Sequence, residues 1–248
     1  MKKVMLFLTV LFSLPTILCA QSKAPSHAIF HQLLKKNVSV TGQVNYTGFM
    51  KDSVEFNQYL RLLSQSPPDE KNWSRVEQMA YWINVYNAFT IKLILKYYPV
   101  KSIKDIGSSI QIPFVNTPWD IPFIVIGKEK LDLNNVEHGI LRKKFNDPRI
   151  HMVLVCASKS CPVLLNEAYD PERLDAQLTT QTKAFLKDTT RNKISADRPQ
   201  VSKIFSWYSG DFEKNGGSVK SFINQYGPVK ISEKAKLSYL EYDWTLNE

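Results

Sequence analysis

The sequence predicts an α+β fold in one domain organised around a single long helix, and three observations carry that prediction. Residues 74–98, SRVEQMAYWINVYNAFTIKLILKYY, are apolar around most of a helical circumference, with only a strip at Gln78, Lys92 and Lys96 polar. A helix of that kind belongs at the centre of a fold. Strand-like segments are short and interspersed with helical ones, with too few strand–helix–strand units for a doubly wound sheet. No Gly/Ser-rich or Pro-rich linker, internal repeat or charge block divides residues 21–248. One domain is therefore expected, with a small mixed sheet and other helices surrounding the long one.

The elements follow in order. In residues 1–20, Lys2-Lys3 form a basic start, residues 4–14 an apolar centre and Leu18-Cys19-Ala20 a cleavage end. That pattern is a signal peptide, so the protein is expected to be exported, periplasmic or secreted. Leu18 stands where a lipoprotein signal needs a small residue, which argues against lipidation at Cys19. No later apolar run reaches the length of a membrane span. Residues 25–37 have the helical spacing Ala28, Ile29, Leu33, Leu34, and residues 38–49 read as a turn-rich excursion. Asp52 is positioned to cap a second helix, which the Pro67-Pro68 pair ends. In the long helix Ser74 and Glu77 form a capping box and Pro99 is the stop.

Residues 102–119 predict a loop with one helical turn at 103–106, residues 120–133 a hairpin around Gly127-Lys128-Glu129, and residues 135–145 a helix with the apolar face Val136, Ile140, Leu141, Phe145. Residues 150–155 read as a buried strand, being short, apolar and rich in β-branched side chains. Asp170-Pro171 signals a helix start running to about Lys187. Residues 193–195 and 200–203 predict short paired strands, 205–212 and 219–226 two short helices, and 236–245 a final strand.

Reactive side chains gather in residues 147–164, DPRIHMVLVCASKSCPVL, which hold two of the three cysteines and one of the four histidines, with Glu137-His138 just upstream. Cys156 falls at the end of the predicted strand, where scaffolds present functional groups. A thiol, an imidazole and an orienting polar group are the parts of nucleophilic catalysis. The candidate roles are Cys156 as nucleophile, His138 as base, and Asn84 or Asn87 of the long helix as orienter, with backbone N–H groups of Ala157 to Lys159 as oxyanion donors. His151 is five residues from Cys156, so on a regular strand it leaves the opposite face. Glu137 would point about 100° away from His138 on a regular helix, which makes it a poor orienter unless the helix distorts there. Arg142, Arg149, Ser158 and Lys159 are candidate substrate-binding residues.

Bland readings stay open beside these. Cys156 and Cys161 can form a small-loop disulfide, which would silence the nucleophile. Asn84 and Asn87 can brace neighbouring loops. Zinc on His138, His151, Cys156 and Cys161 matches no tight-knuckle spacing. No phosphate-cradling Gly-rich loop, G-x-S-x-G elbow or H-E-x-x-H helix is present, and neither metal nor cofactor is expected. The formal charge of +9, or +7 without Lys2 and Lys3, favours an anionic partner such as an envelope polymer or small molecule, although the scattered lysines also suit an ordinary soluble surface. Export and the lack of a basic cluster interleaved with aromatics argue against nucleic acid.

As a set, YWINVYNAFTIKLIL, Glu137-His138-Gly139 running into Ile140-Leu141-Arg142, DPRIHMVLVCASKSCPVL and the ending YDW resemble the domain of unknown function 547 family over residues 73–247. The family pattern matches at Asn84, Tyr86, Asn87, Glu137, His138, Arg142, Asp147, Pro148, Arg149, His151, Cys156, Cys161 and Pro162. The resemblance implies an exported bacterial form, and plant relatives carry the domain behind a coiled coil. The plant motif keeps a cysteine like Cys156 but has serine at the place of Cys161, which implies more for Cys156 than a shared disulfide would. The expectation is an exported thiol-based hydrolase or acyltransferase acting on an envelope amide or ester. The alternative is a non-catalytic envelope-binding domain with a Cys156–Cys161 disulfide.

Overall fold

The computed structural model describes residues 23–107 and 116–248. The predicted signal peptide, residues 1–20, lies outside the described residues, as does the 108–115 part of the predicted loop. The helices and strands are α1 (Ala28–Asn37), α2 (Tyr46–Lys51), α3 (Ser53–Gln65), α4 (Arg75–Tyr97), β1 (Ile124–Ile126), β2 (Glu129–Leu131), α5 (Arg142–Lys144), α6 (Leu174–Lys187), β3 (Gln200–Val201), α7 (Ile204–Trp207), α8 (Ser209–Phe212), α9 (Val219–Tyr226) and β4 (Ser238–Tyr239). The α+β class holds. The strands form two separate pairs, β1–β2 antiparallel with Ile124 opposite Leu131, and β3–β4 parallel with Gln200 opposite Ser238.

α4 is the centre. Fifteen of its residues are buried, from Met79 to Ile94, because its apolar positions run around nearly the whole helix. The Ser74 side chain accepts from the Glu77 N–H while Glu77 accepts from the Ser74 N–H, which closes the capping box. α1, α2 and α3 pack around it through Phe30, Phe49, Phe56 and Tyr59. A second cluster, built from Met152, Phe185, Phe205, Phe212, Phe222 and Ile223, lies among α6, α7, α8 and α9. The two cores meet at residues 150–155, where Ile150 and Val153 belong to the first and Met152 to the second.

That junction is the largest departure from the sequence reading. Residues 150–155 form no strand. Asp147 accepts from the Arg149 N–H, Pro148 follows, and a 3-10 turn runs over Pro148–Met152. The segment after it is extended and buried, but its backbone pairs with a side chain: the Asn87 amide donates to Val153 O at 3.0 Å and accepts from Val155 N–H at 3.0 Å. One asparagine thus substitutes for a neighbouring strand.

Smaller departures have local causes. α2 falls inside the predicted turn-rich stretch, capped by Asn45. Asp52 precedes α3, yet its carboxylate is taken by Lys36 and Asn37 and caps nothing. Asp170 heads a separate turn, closed by Arg173 N–H to Asp170 O, and α6 begins at Leu174. Of the predicted final strand only Ser238–Tyr239 is a strand; Thr245 and Leu246 make isolated bridges to Ser102 and Ser158. Among the described residues no helix is long and apolar enough to cross a membrane.

Candidate functional site

A cavity of about 210 Å³ opens where the two cores meet. Its floor carries Glu137, His138, His151 and the Cys156–Cys161 pair, and its walls carry Tyr86, Trp119, Trp207, Tyr208, Tyr242 and Trp244.

Glu137 and His138 arrive on Asn135–Leu141, a π-helical turn. Its i→i+5 pairing winds the chain more widely than an α-helix, and such turns recur at functional sites. Both side chains consequently line the cavity, with Glu137 Oε1 4.0 Å from His138 Nδ1. The carboxylate of Glu137 is buried close to the hydroxyls of Tyr86 and Tyr208. Burial, followed by the Glu137 charge, pushes both tyrosine hydroxyls well above their ordinary range, so they remain donors.

His138 Nδ1 lies 2.8 Å from Arg142 Nη1. A guanidinium only donates, so Nδ1 is an acceptor and the neutral ring carries its proton on Nε2. Burial lowers the imidazole pKa, Arg142 and His151 lower it further, and Glu137 opposes them. The ring is therefore neutral at pH 7, and its basic lone pair is already occupied by Arg142. The base role expected of His138 is not set up in this arrangement.

Arg142 Nε donates to Asp211 Oδ2 at 2.5 Å, His151 Nε2 lies 2.8 Å from the same oxygen, and Lys214 reaches Oδ1 at 2.8 Å. Burial pushes the Asp211 pKa up, but these three donors outweigh it and hold the carboxyl well below the usual range. His151 also stacks on Tyr208 at 4.0 Å between ring centres. The opposite-face argument for His151 fails because the turn it stands on is not a strand.

Cys156 and Cys161 are joined in a disulfide. Cys156 is consequently no free nucleophile, the largest correction to the expected site. Asn84 and Asn87 do not orient His138. Asn84 donates to Tyr169 O and accepts from Tyr169 N–H, and Asn87 holds residues 153–155, so both amides brace backbone. Of the expected oxyanion donors, Lys159 N–H is spent on Thr245 O. The Lys159 side chain is exposed, and Ser158 is buried with its hydroxyl 3.3 Å from Cys156 Sγ. Arg149 ties Asp147 to Asp175 and Thr179 and does not line the cavity. Arg142 acts through Asp211 and His138.

The aromatic wall was missed. Trp207, Tyr242 and Trp244 pack on one another at 4.6 to 5.8 Å between ring centres, and Trp119 meets Trp244 edge-on at 5.8 Å. Tyr242 and Trp244 stand two apart in the YDW ending, a spacing that sends both to one side of an extended chain. That signal was present but had no partner to point at. Among the described residues no group of three or more His, Cys, Asp or Glu side chains is placed to hold a metal.

No curated protein and no solved structure matches this chain. A family model described as protein of unknown function, DUF547, matches residues 70–186. That segment supplies Tyr86, Trp119, Glu137, His138, His151 and both cysteines, whereas Trp207, Tyr208, Tyr242 and Trp244 come from beyond it. The α4 helix, the π-helical turn and the cysteine loop all lie within the matched segment, and residues 70–186 are thus a segment of the DUF547 family of proteins of unknown function.

Proposed function

We propose that the protein is a binding domain for a small positively charged ligand, an amine or quaternary ammonium group, with the cleft between the two cores as its site. One observation carries the reading: a buried carboxylate, Glu137, faces the same cavity as five aromatic rings, Trp119, Trp207, Tyr208, Tyr242 and Trp244. Aromatic faces attract cations through the ring quadrupole, and a carboxylate in a low-dielectric cleft strengthens that preference. The wall already engages two cations of the protein itself, since Lys104 Nζ lies 5.1 Å from the centre of the Trp244 ring and the Arg142 guanidinium 5.0 Å from that of Tyr208. A volume of about 210 Å³ suits one compact headgroup and leaves no room for a polymer chain inside the cleft.

This favours the binding-domain alternative over the thiol hydrolase, because the sulfur that would attack is bonded to Cys161 and the imidazole that would activate it is capped by Arg142. It also separates the site from the anionic partner suggested by net charge, which concerns the outer surface alone. Export remains part of the proposal, and a disulfide suits an oxidising compartment.

The test is tryptophan fluorescence titration with a panel of ammonium compounds, neutral sugars and carboxylates. Ammonium compounds are expected to shift the emission in a saturable way, and Glu137→Gln is expected to weaken that binding by about tenfold or more, the worth of one charged hydrogen bond. Preferential binding of carboxylates, or equal affinity in Glu137→Gln, would contradict the reading.

A further inference from the structure

The Cys156–Cys161 bond lies between the first core, to which Cys161 belongs, and the cavity. Both cysteines line the cavity, Cys156 being the more open of the two and Cys161 only 2% exposed. Hydrogen-bond donors converge on the sulfurs. The Cys156 N–H points at Cys161 Sγ at 2.9 Å, and the Tyr242 hydroxyl lies 3.3 Å from Cys161 Sγ and 3.4 Å from Cys156 Sγ. The Ser158 hydroxyl adds a group 3.3 Å from Cys156 Sγ. A disulfide sulfur gains little from donors, whereas a thiolate gains a great deal, so the arrangement is complementary to the charge that appears when the bond breaks.

We propose that the protein carries out thiol–disulfide exchange at this bond, with Cys156 as the sulfur attacked from the cleft and Cys161 as the leaving thiolate. A substrate thiolate bonds to Cys156 Sγ as the Cys156–Cys161 bond breaks, and the electron pair stays on Cys161. There the Cys156 N–H and the Tyr242 hydroxyl hold it. A second substrate thiolate then attacks the substrate sulfur of this mixed disulfide and releases Cys156 as its thiolate. Two thiols become one disulfide, and the protein takes up the two electrons and, at neutral pH, the protons. A low-molecular-weight disulfide reverses these steps and restores the oxidised protein. Exchange runs faster when the leaving thiol has a lower pKa, which is the contribution of the two donors to Cys161. The asymmetry of access decides the direction of attack, since Cys161 is covered and Cys156 opens on the cavity.

The experiment uses the folded, oxidised protein and 2-mercaptoethanol, an uncharged probe whose reaction does not depend on cation recognition in the same cleft. Exchange is quenched with iodoacetamide, and the products are mapped by mass spectrometry of peptides. The expected result is reduction without unfolding, through a mixed disulfide found on Cys156. Tyr242→Phe, which keeps the ring and removes the donor, is expected to slow the first step by about tenfold. In Cys156→Ser the thiol of Cys161 is expected to titrate lower with Tyr242 than with Phe at that position. Reduction only under denaturing conditions, a mixed disulfide on Cys161, or Tyr242→Phe reacting at the wild-type rate would each overturn the proposal.

Discussion

Two buried regions of this protein look alike in composition and are built on opposite principles. The helix α4 satisfies its own backbone and is capped by neighbours in sequence, Ser74 and Glu77. Residues 147–164 are just as apolar around 150–155, yet there the Val153 carbonyl and the Val155 N–H are satisfied by a side chain from the other region, Asn87. The first region would be recognisable in isolation. The second takes its shape only when α4 is already in place, and it is the one that carries the cysteines. An amide reaching out of the central helix thus holds the segment that leads into the cysteine loop.

The comparison breaks most sharply at Asn87. Asn87→Ala leaves Val153 O and Val155 N–H buried without partners, and a stability loss of about 3 kcal/mol is expected in urea unfolding. A loss below about 1 kcal/mol would mean that residues 153–155 hold themselves. The two regions also differ in their histidines. In the α4 core, burial pulls the His27 pKa down to about 4, partly opposed by Asp170, and its Nδ1 lies 2.7 Å from the Tyr59 hydroxyl. An imidazole with a depressed native pKa is protonated first in the unfolded chain. Stability therefore falls as pH drops from about 6.5 towards 4, by ~2 kcal/mol once the partial exposure of the ring is discounted. His27→Gln should flatten that part of the stability profile.

At the junction the His138 pKa is lowered as well, through burial first, and contributes in the same direction below the ordinary histidine pKa. Asp211, whose pKa is depressed, adds stability above the ordinary carboxylate range that is lost as pH falls below it. The smallest effect belongs to the self-sufficient region. Ser74→Ala removes one cap and is expected to cost about 1 kcal/mol in the same unfolding assay, leaving the cleft unchanged.

What could be read from the sequence follows the same division. The capping box, the Pro99 stop, the hairpin and the single α+β domain rest on neighbours a few residues apart, and they appear in the structure. The role of Asn87 depends on partners 66 and 68 residues away, so nothing local announced it. Glu137 and His138 were separated on paper by an α-helical rotation, and no proline or glycine run marks the π-helical turn that brings both to the cavity. The disulfide was one of several open readings of Cys156 and Cys161, because spacing alone cannot decide between a pair and a free thiol. Tyr242 and Trp244 belonged to a recognisable ending, but only the fold sets them against Trp207 and Trp119. Asp211, which ties Arg142, His151 and Lys214 together, carried no signal at all.

The most direct test of the cleft is a pair of calorimetric titrations with choline and with 3,3-dimethylbutanol, its uncharged carbon counterpart of nearly the same shape. Recognition by the aromatic wall and Glu137 predicts that choline binds with an enthalpy lost in Glu137→Gln, while the neutral alcohol binds at least about tenfold more weakly. Equal binding of the two compounds would show a merely apolar pocket and contradict the assignment of the site to a cation.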